Sequence, residues 1–459
     1  VSKKSARRSG AQQRDGMADI VVASQPWYRA LDRAQWNALI ASNLGWLFDG
    51  YETYALILTV GFALRQLLDP AQFPEIPFYA GVLIAIALLG WGMGGLIGGV
   101  LADYVGRKRT MMLAILAYSL ATGLSAFAWD ATSFAVLRFL VGVAIGSEWV
   151  TGASIVSELW PDHARGRGVA VMQCGLGLGF FLASLLWVVV GDMGPNAWRV
   201  MFLIGVLPAL LTLWVRRAIP ESNLWERVND RRRAVVGRKR GGAALQEHEQ
   251  ALARFTLVEL FHNAEIRRRT LIAFLMSLAT MLGFWGITAW VPPYIAGVAA
   301  KAGLPEPQWA GFAGMAYNLG GIAGYVAFGF LADFWGRKPI TMAYFAGSLL
   351  CVPVVFVWTQ DLALLLLAAA ALGWFASGQF TWLPAWLPEL FPTRIRATGA
   401  GFVFNAPRLI AWIGPLVSGS LIGTFGGFSQ AAMAIGTVYV LGLAAAPFLP
   451  ETKGKPLPA

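Results

Sequence analysis

Asp49, Glu52, Arg138, Glu148 and Arg408 are ionisable residues set within stretches that are otherwise apolar. Charge in such a segment is costly, and where it persists it marks a proton relay, an ion path or a ligand anchor. Asp49 and Glu52 are three residues apart and share one face of a helix. Two like charges there repel, and a nearby Arg138 relieves the repulsion. Any change in that pairing alters proton occupancy, which is the minimum machinery for proton-coupled transport. The plain alternative is a permanently ionised pair that fixes two helices together. Glu148 lies further along the same run as Arg138, and its twin position in the second half is the neutral Gln379. It reads either as a cavity group or as a second proton site. Asn405 and Arg408 sit one helical turn apart. A planar fork of donors in a dehydrated cavity suits a carboxylate. The competing readings of Arg408 are an internal ion pair with an acid such as Glu148, or a place nearer the membrane rim.

A second group of polar residues is duplicated. Gly99-Val-Leu-Ala-Asp103-Tyr-Val-Gly106-Arg107-Lys108 returns about 230 residues later as Gly329-Phe-Leu-Ala-Asp333-Phe-Trp-Gly336-Arg337-Lys338, the mark of a duplicated chain. Glu158-Leu-Trp-Pro161 with Arg165 returns as Glu389-Leu-Phe-Pro392 with Arg396, and Pro220-Glu221-Ser222 returns as Pro450-Glu451-Thr452. The Asp-x-x-Gly-Arg-Lys links demand a tight turn, which Gly106 and Gly336 allow. Asp103 and Asp333 can accept hydrogen bonds from helix-end amides or pair with guanidinium groups. Arg107 and Arg337 can bridge to Glu158 and Glu389. Charges clustered at one membrane face in both halves read as a gate that locks one conformation. Topogenic charge alone would not call for the same Asp, Gly and Glu twice.

The elements that carry these residues are membrane helices. The 459 residues are 57% hydrophobic and only 13% charged, outside the soluble range. Apolar runs fall at 37–62, 78–101, 111–130, 132–157, 169–190, 199–217, 269–297, 307–332, 340–359, 361–386, 398–422 and 428–448. Most reach the roughly 20 residues that a bilayer requires. The spacing predicts an all-α polytopic membrane protein of 12 spans in two pseudo-symmetric six-helix bundles. The bundles fall at 36–217 and 269–449, with tails at 1–35 and 450–459 and an inter-bundle linker at 218–268. The net charge of +11 resides in the tails and alternate links, which places both termini in the cytoplasm and argues against nucleic-acid binding. The linker, with Arg231-Arg-Arg233 and Arg238-Lys-Arg240, is expected to be solvated and partly helical; an anionic-lipid contact is the functional alternative. The basic Lys3, Lys4, Arg7, Arg8 and Arg14 are followed by no apolar stretch before Pro26, so no cleaved export signal is expected. Cys174 and Cys351 are expected to be inert thiols, and no metal or cofactor site is legible. His163, His248 and His262 all fall in links, which leaves no convergent set for a membrane enzyme. No phosphate loop is present, so transport driven directly by ATP is excluded for this chain. A sensor or receptor is the remaining rival class.

The duplicated loops resemble the most specific signature of the major facilitator superfamily, and Arg138-x-x-x-Gly142-x-x-x-Gly146 is similar to its motif in the fourth helix. The Pro-Glu-Ser and Pro-Glu-Thr ends resemble those of its sugar-porter-like branch. Gly50-Tyr51-Glu52-Thr53 is similar to a stretch of proton-linked sugar porters whose first-helix acid pairs with a fourth-helix arginine. Asp49-Gly50-x-Glu52 resembles the pattern of aromatic-acid:proton symporters, with Glu in place of the second Asp. This resemblance implies a proton on Glu52 or Asp49, with Glu52 favoured and Arg138 as its switch. Phe404-Asn405-Ala-Pro407-Arg408 resembles the surroundings of a helix-11 arginine in organic-anion members. Hexose-type members carry amides in the seventh helix, whereas 274–290 here has none. The expected function is therefore proton-coupled symport of a small organic anion, a mono- or aromatic carboxylate, with a neutral solute such as a sugar, or anion exchange or efflux, as the alternatives. The expected wall is Arg408, Asn405, Gln379, Tyr317, Asn318, Trp285, Trp290 and Trp382, each open to a plain packing role. The gate is Asp103, Arg107, Glu158, Arg165, Asp333, Arg337, Glu389 and Arg396. The expected setting is a bacterial cytoplasmic membrane, with lipid, protons and cargo as partners and the monomer as the working unit.

Overall fold

The structure, a computed structural model, describes residues 27–29, 31–242, 244–288, 290–413 and 425–458. The basic residues Lys3 to Arg14 lie outside that range. The described residues are helical with no strand. Helix α1 (Arg33–Leu67) opens on Asp32, whose carboxylate accepts the Gln35 amide at 2.7 Å while the Gln35 side chain takes the Asp32 amide at 2.9 Å. That reciprocal cap satisfies two of the donors left free at a helix start. It is followed by α2 (Ile76–Val105), α3 (Arg107–Ser125), α4 (Ala131–Leu159) and α5 (Arg165–Val190).

Prolines set the next boundaries. A proline removes the bond to the carbonyl four residues back, so a helix tends to end there. Pro208 accordingly separates α6 (Ala197–Ile204) from α7 (Pro208–Ala218), and Pro292 separates α11 (Ala264–Thr288) from α12 (Val291–Lys301). Between these lie α8 (Asn223–Arg240), α9 (Glu247–Ala253) and α10 (Thr256–His262). Beyond come α13 (Glu306–Trp335), α14 (Arg337–Pro353), α15 (Leu362–Gly378), α16 (Trp382–Leu390), α17 (Arg396–Asn405), α18 (Arg408–Ala411), α19 (Phe428–Gly436) and α20 (Val438–Ala445). Among the described residues, nine helical stretches are long and apolar enough to cross a membrane. The expected runs at 37–62, 111–130 and 398–422 are not in that set, and the last extends into residues that are not described. The chain is a multi-pass, all-α membrane protein.

Within lipid there is no hydrophobic gain from helix association, so close van der Waals approach must supply it. Helix α2 packs on α4, α1 on α5, and α13 on α15. At the first of these seams Gly94 and Gly142 let one backbone touch the other, and a Cβ at either would overlap a facing carbonyl. The halves meet where α17 packs on α2 and α13 on α5. Each of those seams carries one copy of the duplicated loop.

Gly106, alone between α2 and α3, has φ 114° and ψ 154°, and Gly336 repeats it with φ 112° and ψ 159°. That corner of backbone space is open to glycine and strained for any other residue. A Cβ on Gly106 would also crowd Trp225 at 3.2 Å and the Glu221 carboxyl. Gly106→Ala is expected to cost about 1–3 kcal/mol, seen as a lowered thermal midpoint in detergent. An unchanged midpoint would remove this account of the loop.

The linker is partly helical with most of its basic residues exposed, but one face of it is buried. Ser222 caps α8, and Trp225 and Arg232 are buried against the first duplicated loop. The Trp225 indole and the Arg232 guanidinium both donate to the Asp103 carbonyl, at 3.0 and 2.7 Å. The apolar Trp225, Val235 and Leu260 are buried within this otherwise polar stretch.

Candidate functional site

Two polar clusters lie buried among the helices, one at mid-depth and one at the basic face. In the first, Glu52 on α1 forms an ion pair with Arg138 on α4, both almost wholly buried. Arg138 also donates to the Ser125 hydroxyl and lies over the rings of Phe202 and Phe134, 4.5 and 5.3 Å from their centroids. Asp49 takes no part in this pair. Its carboxyl meets that of Glu148 on α4 instead, so the shared face of α1 serves two different partners. Glu148 therefore does not pair with Arg408, which forms no ion pair among the described residues.

Arg408, 3% exposed, donates to the Phe404 carbonyl at 2.7 Å and to Asn405 Oδ1 at 3.2 Å. Its guanidinium lies 4.0 Å from the Phe404 ring centre and 4.6 Å from that of Trp91, and its Nε has no partner among the described residues. It looks onto a narrow cavity with Trp46, Trp91, Phe284, Trp285 and Phe380 among its walls. An adjoining cavity is lined by Glu52 and Arg138 and shares Thr53, Trp91 and Trp285 with the first. Glu52 and the Arg408 guanidinium thus look onto neighbouring spaces.

Of the expected wall, Arg408 lines the first cavity, Trp285 lines both, and Asn405 positions Arg408. The others stand elsewhere. Tyr317 is held by Thr288 at 2.7 Å and Ser377 at 3.3 Å. The Trp382 indole donates to Thr280 at 3.1 Å, and Trp290 packs edge-on against Phe428. Gln379 is buried with neither amide atom partnered, away from both cavities. Asn318 is exposed, because one residue beyond the buried Tyr317 carries it roughly 100° around the helix. Trp46, Trp91 and Phe404 were missed, although they form the aromatic box together with Trp149, which stacks on Phe404 at 3.7 Å. Their signal was available: tryptophan at mid-span rather than in the interfacial belt needs a reason.

At the basic face the duplicated residues come together across the halves. The Asp103 carboxylate pairs with Arg107 at 3.1 Å and accepts the Ala397 and Thr398 amides at 3.3 and 2.8 Å, capping the start of α17. Asp333 mirrors this, pairing with Arg337 at 2.6 Å and accepting the Gly166 and Arg167 amides at 3.2 and 3.1 Å at the start of α5. Glu158 binds Arg107 of its own half at 3.1 Å and Arg396 of the other at 2.7 Å. Glu389 likewise binds Arg337 at 2.9 Å and Arg165 at 3.0 Å. Glu221 accepts the Arg107 and Lys108 amides, and Glu451 those of Arg337 and Lys338. Burial alone would raise the Glu451 carboxyl, but the amides of Lys453, Lys338, Arg337 and Thr452 more than offset it and hold the group below its ordinary range. This cap is complete at neutral pH and is lost only as pH falls through that lowered value. Roles for Arg232, Thr393 and Pro458 were missed. The Thr393 carbonyl accepts from Arg107 at 3.0 Å, and the Pro458 carbonyl from Arg396 at 2.7 Å.

A model of the family described as sugar (and other) transporter matches residues 38–459, nearly the whole chain. The chain belongs to that family. It is a transporter of the major facilitator superfamily and not an enzyme. Among curated relatives, the probable 4-methylmuconolactone transporter of Cupriavidus pinatubonensis is 27% identical over 93% of each chain. The niacin transporter NiaP of Acinetobacter baylyi is 27% identical over 93% of this chain and 96% of its own. The proton:xylose symporter XylE, solved with 6-bromo-6-deoxy-D-glucose, superposes with a TM-score of 0.74 at 21% identity. That match covers 92% of this chain and 98% of the symporter.

Proposed function

We propose that this transporter is a proton-coupled symporter of a small organic carboxylate. In this reading it works by alternating access between two six-helix bundles, 36–217 and 269–449, in a bacterial cytoplasmic membrane with both termini inside. The observation that carries the reading is Arg408, a buried guanidinium over two aromatic rings, facing a cavity and unpaired with any acid among the described residues. A buried cation of that kind draws an anion to it, and flat aromatic walls suit a planar acid. Glu52, ion-paired with Arg138 on the adjoining cavity, is the coupling acid in this scheme. The named relatives that carry niacin and 4-methylmuconolactone are consistent with small ring-bearing cargo.

A neutral sugar is the second reading, favoured by the family description and by the fold shared with the xylose symporter. Against it, a polyol needs many hydrogen-bonding partners, and these cavities are chiefly aromatic and aliphatic. Uptake into proteoliposomes under an imposed pH gradient, scanned over monocarboxylates, aromatic acids and sugars, separates the two. Accumulation of sugars alone rules out the carboxylate reading.

The basic-face network is proposed as the inner gate, closed in this structure by the cross-half contacts of Asp103, Glu158, Asp333 and Glu389. Asp103→Asn should keep the fold but slow transport about tenfold or more, since it leaves Arg107 undercompensated and turns a donor toward one of the two α17 amides that the carboxylate accepts. Turnover equal to wild type in that variant would refute the assignment.

A further inference from the structure

The Asp49–Glu148 contact is not used by the scheme above. Asp49 is 0% exposed and Glu148 1% exposed, and neither forms an ion pair among the described residues. Among the described residues all four of their carboxylate oxygens lack a hydrogen-bond donor, although the two groups touch. Gly45, one turn before Asp49, has no side chain where the Glu148 carboxyl lies, and any Cβ there would collide with it. The sequence thus makes room for the contact rather than merely tolerating it.

Two ionised carboxylates cannot rest against each other in a dry interior. Each lacks a donor, and their repulsion is unscreened. The neighbouring charges do not help. On α1 and α4 the nearest are Glu52 and Arg138, which neutralise each other. From α3 the buried Tyr118 hydroxyl, itself without a partner, lies within electrostatic range of Asp49, Glu148 and Glu52. No lysine or arginine among the described residues pairs with either acid. One proton removes the repulsion and supplies the missing donor at the point of contact. It turns one carboxylate into a donor, makes the contact a charge-assisted hydrogen bond and reduces two buried charges to one.

We propose that Asp49 and Glu148 form a shared-proton carboxyl pair, a proton-binding site separate from the Glu52–Arg138 ion pair. The proton arrives from water, forms an O–H bond to one carboxylate and is hydrogen-bonded by the other. It leaves to water when the helices bearing the two groups part. The site itself follows from the geometry alone; its use as a second coupling proton rests on the proton-symport reading.

Infrared difference spectroscopy of the purified protein at neutral pH is the test, because a protonated carboxylic acid has a C=O stretch that shifts in D₂O. Wild type and Glu52→Gln should both show the band, and the double variant Asp49→Asn with Glu148→Gln should lose it. If the double variant does not fold, each single replacement must still shift the band, since the partner sharing the proton has changed. A band absent from wild type, retained in the folded double variant, or unmoved by both single replacements overturns the proposal. None of these outcomes depends on whether Glu52 couples transport, which is read separately by accumulation.

Discussion

Glu52→Gln is expected to abolish accumulation of cargo against its gradient while leaving cargo-for-cargo exchange measurable. Glutamine keeps the shape of the side chain and can still accept from Arg138, so the helices should hold their places. What is lost is the ability to alternate between a carboxylate bound to Arg138 and a protonated acid that releases it. Exchange needs only the loaded carrier to reorient, so it does not require that alternation. Net uptake needs the empty carrier to return as well, and there the proton must come off. Importing a monovalent anion against a negative interior costs roughly 2.3 kcal/mol per 100 mV, and one accompanying proton cancels it. Arg138→Ala is the harsher change, because it leaves Glu52 buried without its cation at a cost of about 3–5 kcal/mol. The measurement is uptake and counterflow in parallel on the same proteoliposomes. If Glu52→Gln still concentrates cargo with the wild-type dependence on external pH, Glu52 is a structural anchor and the coupling proton lies elsewhere.

The sequence was most legible where chemistry is duplicated. The paired Asp-x-x-Gly-Arg-Lys loops and the Glu158 and Glu389 positions announced a network at one face, and the structure brings all of them into contact. Repetition supplied the constraint: a residue type kept in two places has to satisfy one geometry twice. The Glu52–Arg138 pair was legible because each is an isolated charge within an apolar run. The cavity wall was not. Helical periodicity says which residues share a face but not which face meets the cavity, and Asn318 beside Tyr317 shows how one residue's difference turns a wall candidate into an exposed one. Pairing among several buried acids was likewise beyond pattern reading. Asp49 and Glu52 share a face, yet the angle between α1 and α4 decides that one meets Arg138 and the other Glu148. The docked face of the linker was illegible for a different reason, since its few apolar residues look incidental until Trp225 is seen against the duplicated loop.

Arg408→Lys should weaken cargo binding nearly as much as Arg408→Ala, by about 2–4 kcal/mol, or roughly 30- to 700-fold in affinity. The guanidinium is already committed on one edge, with Nη1 donating to the Phe404 carbonyl and Asn405. The planes of Phe404 and Trp91 fix its tilt, which leaves the remaining edge as a preset fork for a carboxylate. A lysine ammonium keeps the charge but is a hydrated point without a plane, so it cannot satisfy those backbone and amide acceptors while presenting two parallel donors. It also has to shed more water to enter an aromatic box. Removing Asn405's acceptor in Asn405→Leu should act in the same direction but more weakly, because it loosens the fork without removing it. Calorimetry on purified proteins with a transported carboxylate checks the ordering. Lysine restoring wild-type affinity would mean that charge alone is recognised. Both Arg408 variants binding as wild type would mean that the arginine only packs against Trp91 and Phe404, and a neutral cargo would then be the better account of the cavity.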